Sequence, residues 1–268
     1  MKTENNKMNG EHLLFGAHRG DRTNYPENTM EAMKAAVAVG CDMVETDVRM
    51  SKDGQLVLMH DRSVERTTNG TGFVDEMTLE ELKALDAGAW KGEKFTGSRI
   101  PTVEELLAWA SQTQVLVDWE LKEYTVEVGR ERAFRCVDKL VELIELYGMV
   151  ERSRINSFSD KLLEYVDTTW PGKFVLNGYL RYHPSKDVPS EKPIEDFVHW
   201  SAIWDRSAEF SVGKQEDYDY ARDKDILACI LVADEEENYR KALQAGCRML
   251  VSDNPGKGIE LLRRLGER

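Results

Sequence analysis

The stretch Leu13-Leu-Phe-Gly-Ala-His-Arg-Gly-Asp-Arg-Thr-Asn-Tyr-Pro-Glu-Asn-Thr-Met-Glu-Ala-Met-Lys-Ala-Ala-Val-Ala-Val-Gly-Cys-Asp-Met-Val-Glu-Thr-Asp-Val48 holds a strand, a helix and a second strand in succession. Leu13 to Ala17 is a short apolar run, Thr29 to Val39 has helical periodicity behind Asn28 or Thr29 as a cap, and Met43 to Val48 is extended in character. The same alternation continues outward. Helical patterns cover Val103 to Ser111, Arg130 to Tyr147, Asp160 to Thr168, Ile194 to Val198, Gln215 to Arg222, Glu235 to Ala245 and Gly256 to Leu265. Strand patterns lie between them at Val115 to Leu121, Arg154 to Ser157, Phe174 to Leu180, Ala202 to Trp204, Ile226 to Val232 and Met249 to Val251. Eight strand–helix units at this length imply a parallel sheet closed into a TIM (β/α)8 barrel, and residues 1–268 form one domain in this reading. One segment breaks the rhythm. Asp61 to Ile100, rich in Gly and Thr with a single helical piece at Thr78 to Leu85, reads as a small insertion after the second strand.

The second strand carries Glu45 and Asp47 two residues apart, so their carboxylates share one face. Two such anions beside a core need a cation between them, and a divalent metal is the economical candidate. Leu56 to Met59 follows too soon for a parallel crossover, so it returns as a hairpin turning at Lys52-Asp53-Gly54. Counting back from the turn sets His60 roughly opposite Asp47. The third strand places Asp118, Glu120 and Lys122 on one face, which is anomalous for a core strand unless that face opens on a site. Asp118 lies deeper and is left outside the ligand set. Glu27 and Asn28 read as helix-start residues that support the site.

Composition narrows the partners. The net charge of −13 disfavours nucleic acid and anionic membranes, so a phosphate-bearing ligand must meet locally placed cations or metal. The polar start from Met1 to Glu11 has no leader-like apolar region, and no run is long enough for a membrane span. The expectation is a cytoplasmic protein without stable membrane association. Cys41, Cys136, Cys229 and Cys247 have no metal-ligand spacing and read as reduced, buried thiols.

Ordered motifs sharpen the reading. His18-Arg19-Gly20 with Pro26-Glu27-Asn28-Thr29, Glu45-x-Asp47, Lys52-Asp53-Gly54, His60-Asp61, Arg66-Thr67-Thr68-Asn69-Gly70 and Glu120-x-Lys122 closely resemble the glycerophosphodiester phosphodiesterase family. The resemblance continues through Ile100-Pro101-Thr102, Ser157-Phe158 and Ser252-Asp253-Asn254-Pro255, nearly the whole chain in the family's order. It implies a divalent metal held by Glu45, Asp47 and Glu120, with His18 and His60 as the general acid/base pair and Arg19 and Lys122 on the phosphate. Oxygen ligands alone suit Mg²⁺ or Ca²⁺. The implied substrate is a small-molecule glycerophosphodiester, cleaved to glycerol 3-phosphate and an alcohol.

The chain also departs from that pattern. Ile230-Leu231-Val232-Ala233 stands where relatives carry Trp-Thr-Val-Asn, so a pocket-lining ring is missing, and Trp119 replaces a smaller aliphatic residue and points away from the barrel axis. The connection from Tyr179 through Arg181, Tyr182 and His183 to Pro193 is aromatic and basic enough to replace the lost wall. Two alternatives stand beside the leading one: a lysophospholipase D type activity on a lipid-bearing diester, and a non-catalytic phosphodiester binder, which would have no need of two proton-transfer groups.

Overall fold

Parallel pairing of eight strands closes a barrel in the computed structural model, which describes residues 13–180, 185–205, 211–232 and 234–268. The strands in chain order are β1 (Leu14–Ala17), β2 (Met43–Met50), β3 (Leu56–Leu58), β4 (Leu116–Leu121), β5 (Ser153–Asn156), β6 (Val175–Gly178), β7 (Trp200–Ala202), β8 (Trp204–Asp205), β9 (Ser211–Val212), β10 (Leu227–Leu231) and β11 (Met249–Ser252). The barrel runs β1-β2-β4-β5-β6-β7-β10-β11 and back to β1; β3 is an antiparallel edge on β2, and β8 and β9 form a separate ribbon. Helices α1 (Met30–Ala38), α2 (Leu79–Ala84), α3 (Val103–Ala110), α4 (Thr125–Val128), α5 (Arg130–Leu146), α6 (Asp160–Thr169), α7 (Gln215–Asp223), α8 (Glu236–Gln244) and α9 (Pro255–Leu265) complete it. Among the described residues no helix is long and apolar enough to cross a membrane.

Period-two alternation divides the strand side chains between two cores. Leu14, Met43, Trp200, Cys229, Met249 and Val251 fill the barrel interior. Phe15, Val44, Val117, Trp119 and Ile155 point outward and pack with Leu106, Leu107, Val137 and Leu140 of the surrounding helices. Each such side chain stabilises the fold by about 1.5–3 kcal/mol when fully buried. Trp119 faces outward as its alternation requires, donating its indole N–H to Ser153 Oγ at 3.0 Å. All four cysteines are free and buried.

The segment between β3 and α3 builds a small core of its own, in which Val64, Val74, Leu82, Ala87 and Ile100 pack on Val57 and Met59. Helix α2 within it starts on a capping box between Thr78 and Glu81, and α3 starts on a second between Thr102 and Glu105.

Three details differ from the expectations. Among its described residues the fifth crossover, from β6 to β7, holds a single 3₁₀ turn, Ile194–Asp196, and the strand after it begins at Trp200 rather than Ala202, because the few residues between Pro193 and the strand cannot propagate an α-helix. The short helix α4, unforeseen in the sequence, ends at Gly129, whose φ of +82° lets the chain turn directly into α5. The hairpin does turn at Lys52-Asp53-Gly54, with Gly54 at φ +80°, but its pairing of Val48 with Leu58 sets Asp47 opposite Met59 rather than His60. His60 therefore lies one residue beyond, where the chain leaves the ladder.

Candidate active site

The carboxyl ends of β1, β2 and β4 converge at the mouth of the barrel, where βα loops carry chemistry in this architecture. Register puts Asp47 beside Glu120, Glu120 beside Asn156 and Asn156 beside Asn177, a polar row across four strands. One carboxylate oxygen each from Glu45, Asp47 and Glu120 lies within 4.8 Å of the other two, and all three residues are buried.

The two carboxylates of β2 sit in opposite electrostatic states. Burial, then Asp47 and Glu120, push the Glu45 carboxyl well above its usual range. Its Oε2 accepts the Arg19 backbone N–H at 2.8 Å, while Oε1 has no hydrogen-bond partner among the described residues. Burial would raise Asp47 too, but Lys122, Arg19 and His60 hold it far below the ordinary carboxylate range. Asn28 Nδ2 donates to Asp47 Oδ2 at 2.8 Å, and Asp47 Oδ1 accepts no hydrogen bond from the described residues, with Lys122 Nζ 3.3 Å away. Buried carboxylate oxygens with unused acceptor capacity, drawn together without Cys or His, are the donor set a hard divalent cation takes. These residues fit a metal.

Cations frame the cluster. Arg19 has a left-handed backbone, φ +56°, and the next residue, Gly20 at φ +76°, lies so close to α1 that a Cβ there would come within 2.6 Å of the Ala32 backbone. The tight turn carries the Arg19 guanidinium inward, 3.2 Å from Asp47 Oδ2 and 2.9 Å from Glu27 Oε1. Burial opposes its charge, yet Asp47, Glu27 and Glu45 hold its pKa above the ordinary value. Lys122 is raised in the same way, against burial, by Glu120 and Asp47, and donates to Glu120 Oε1 at 2.5 Å. Asn28, also left-handed at φ +55°, accepts from Thr46 Oγ1 at 2.8 Å while holding Asp47, so it orients the ligand strand, and Thr29 provides the α1 cap.

Both histidines lie within electrostatic reach of Asp47. His18 Nδ1 is 2.7 Å from Asp253 Oδ1, and His60 Nδ1 is 2.5 Å from Asp61 Oδ1. Each imidazole thus has one nitrogen engaged by a carboxylate, which leaves Nε2 for proton transfer. Burial pushes His18 below its usual pKa despite the hydrogen bond to Asp253. Asp61 also accepts from Arg66 Nε at 2.5 Å, and Arg66 reaches Glu27 at 2.8 Å.

All seven residues expected from the sequence, His18, Arg19, Glu45, Asp47, His60, Glu120 and Lys122, meet at this one end of the barrel. Asp118 stays outside the cluster, one row deeper, beside Arg154 of β5. Three residues were missed as orienting groups: Asp61, Asp253 and Arg66. Asp61 could have been suspected from its adjacency to His60, whereas Asp253 is joined to His18 only by the closure of β11 onto β1. Tyr179 stacks on Phe158 with centroids 3.6 Å apart. Arg181, Tyr182, His183 and Ala233 lie outside the described residues.

The sequence model of the glycerophosphoryl diester phosphodiesterase family matches residues 18–257. This chain belongs to that family. A glycerophosphodiester phosphodiesterase of Caldanaerobacter subterraneus subsp. tengcongensis is 35% identical over 254 residues, covering 94% of this chain and 99% of that protein. Among solved structures, an Oleispira antarctica phosphodiesterase in complex with the product sn-glycerol-3-phosphate matches with a TM-score of 0.80 at 26% identity, over 94% of this chain and 97% of that one. A Silicibacter pomeroyi protein matches in fold, with a TM-score of 0.79 at 24% identity, over 95% of this chain and 94% of that one. The match to the glycerophosphoryl diester phosphodiesterase family begins at His18 and ends two residues past Pro255, so it takes in every residue of the cluster and both histidine–carboxylate pairs.

Proposed function

We propose that this protein hydrolyses glycerophosphodiesters to glycerol 3-phosphate and an alcohol, with a divalent metal and histidine general acid/base catalysis. The observation that carries the reading is the buried Glu45, Asp47 and Glu120 cluster with unused oxygens, flanked by two histidines whose Nδ1 atoms are each held by a carboxylate. Glu45, Asp47 and Glu120 would hold Mg²⁺ or Ca²⁺, which when bound supplies positive charge to the phosphoryl oxygens as negative charge builds there.

The remaining work falls to side chains. Arg19 and Lys122, both kept cationic by their carboxylate neighbours, draw the phosphodiester anion into the mouth and add to the stabilisation of the transition state. One histidine takes the proton of a glycerol hydroxyl at Nε2 as that oxygen attacks phosphorus, and the other protonates the departing alcohol. Water then opens the cyclic phosphate with the roles reversed. Asp61 and Asp253 fix the tautomers and stabilise the imidazolium forms.

The test is release of glycerol 3-phosphate from soluble glycerophosphodiesters by metal-stripped protein with Mg²⁺ or Ca²⁺ added back. Release should require metal, and His18→Ala and His60→Ala should each lower turnover by about 10²–10⁴ while glycerol 3-phosphate still binds. Unchanged turnover in either variant would sink the acid/base assignment.

A further inference from the structure

The connection after β6 brings to the site a cation that the catalytic set leaves unused. Phe158, two residues beyond β5, stacks one ring face on Tyr179 at 3.6 Å with 9° between the planes. The Lys186 ammonium lies 4.2 Å from the centre of the same ring, and the Lys122 ammonium 5.6 Å from it. A gap of 3.6 Å leaves no room for a cation on the Tyr179 side, so Lys186 covers the open face.

Its placement is fixed from both sides. The Lys186 backbone N–H donates to the Phe158 carbonyl at 2.9 Å. The next residue, Asp187, accepts from the Thr125 N–H at 2.8 Å, the Val126 N–H at 3.2 Å, the Ser159 hydroxyl at 2.7 Å and the Thr125 hydroxyl. Asp187 therefore staples this segment to the residues that follow Lys122 and Phe158. Arg19 and Lys122 are each paired with carboxylates, whereas Lys186 pairs with none among the described residues. Lys122 repels it, and Glu120, Asp47 and Glu127 attract it, so its charge is felt within the cluster.

Ammonium-bearing ligands are recognised on aromatic faces. Here both faces of the ring beside Lys122 are taken, one by Tyr179 and the other by a resident ammonium. We propose that Lys186 is a specificity-determining residue that favours glycerophosphodiesters with a neutral or anionic alcohol over those whose alcohol carries a positive charge. The proposal rests on the hydrolytic function proposed above and goes beyond it to the substrate's charge class.

The experiment compares kcat/KM for glycerophosphoglycerol and glycerophosphocholine, at low salt with metal present, in the wild type and in Lys186→Met, Lys186→Glu and Lys186→Arg. The wild type should prefer glycerophosphoglycerol, the diester whose alcohol carries no charge. That preference should fall about tenfold in K186M, equivalent to about 1.4 kcal/mol, fall further in K186E, and persist in K186R. Persistence in K186R separates charge from packing on Phe158. A ratio that is the same in the wild type, K186M and K186E overturns the proposal while leaving the hydrolase reading intact. A wild type that cleaves neither diester brings down the hydrolase reading and this proposal with it.

Discussion

Replacing Glu45 by Gln should make the metal-free protein more stable and the metal-loaded protein inactive. The Glu45 carboxyl is buried among Asp47 and Glu120, with oxygens within 4.8 Å of one another. At an effective dielectric of about 20, two like charges at that separation repel by about 3.5 kcal/mol, so metal-free Glu45 either bears that repulsion or takes up a proton to escape it, and a neutral amide is spared both costs. Arg19 offsets part of this for Glu45, and its backbone N–H bond to Oε2 can be kept by the amide oxygen of Gln. A net relief of about 1–3 kcal/mol remains, the size of the penalty for a buried polar group left unsatisfied. In a chain of this length each kcal/mol moves the melting midpoint by about 2–4 °C, so metal-free E45Q should melt about 2–12 °C above metal-free wild type. Adding Mg²⁺ or Ca²⁺ at about 100 times its Kd should stabilise the wild type by about 2.7 kcal/mol. E45Q should lose most of that gain. Scanning calorimetry after chelation, then with metal restored, reads both effects without reference to turnover. An E45Q protein that melts below metal-free wild type, or that keeps the full metal-induced shift, refutes the reasoning.

Two further outcomes follow from buried charges elsewhere. Arg66, Arg19 and Arg22 hold the buried Glu27 carboxyl down to about 2 against the effect of burial. Its pKa is depressed on folding, so it contributes about 3 kcal/mol that is present above the unfolded value and lost as pH falls toward 2; denaturant midpoints between pH 5 and 3 should decline less steeply in Glu27→Gln. Burial pushes Asp118 up to about 6, and Arg154 opposes that rise from the neighbouring strand. Arg154→Met should therefore cost about 3–5 kcal/mol at neutral pH by stranding a buried carboxylate, and adding Asp118→Asn should recover part of it, as measured by chemical denaturation.

The barrel was legible because its period is written twice, in alternating strands and in amphipathic helices, and a missed element at one crossover does not disturb the other six. Ile194 to Val198 misled because an apolar pair at helical spacing in so short a segment also suits the single 3₁₀ turn observed. His60 was placed roughly opposite Asp47 from the hairpin, although the register is offset by one residue; equal counting from Lys52-Asp53-Gly54 pairs Asp47 with Met59, so the approximate count, not the turn, was at fault. Asp253 was visible as part of a motif but not as the partner of His18, since the two are 235 residues apart in sequence and meet only through β11 and β1.

The least legible property is the asymmetry between Glu45 and Asp47. Spacing alone makes them equivalent, two carboxylates on one face of one strand, yet one is driven toward protonation and the other held ionised. The difference comes from where the cations enter. Lys122 arrives from β4, whose register sets Glu120 and then Lys122 past Asp47, and the Arg19 side chain reaches Asp47 Oδ2 while only its backbone N–H serves Glu45. Asp47 is therefore charge-compensated before any metal binds, and Glu45 is not. A divalent ion entering this cluster would meet one carboxylate held ionised and another pushed toward protonation, so metal affinity should climb with pH. That coupling lies in the relation between three strands, β1, β2 and β4, and no reading of the Glu45-x-Asp47 spacing by itself contains it.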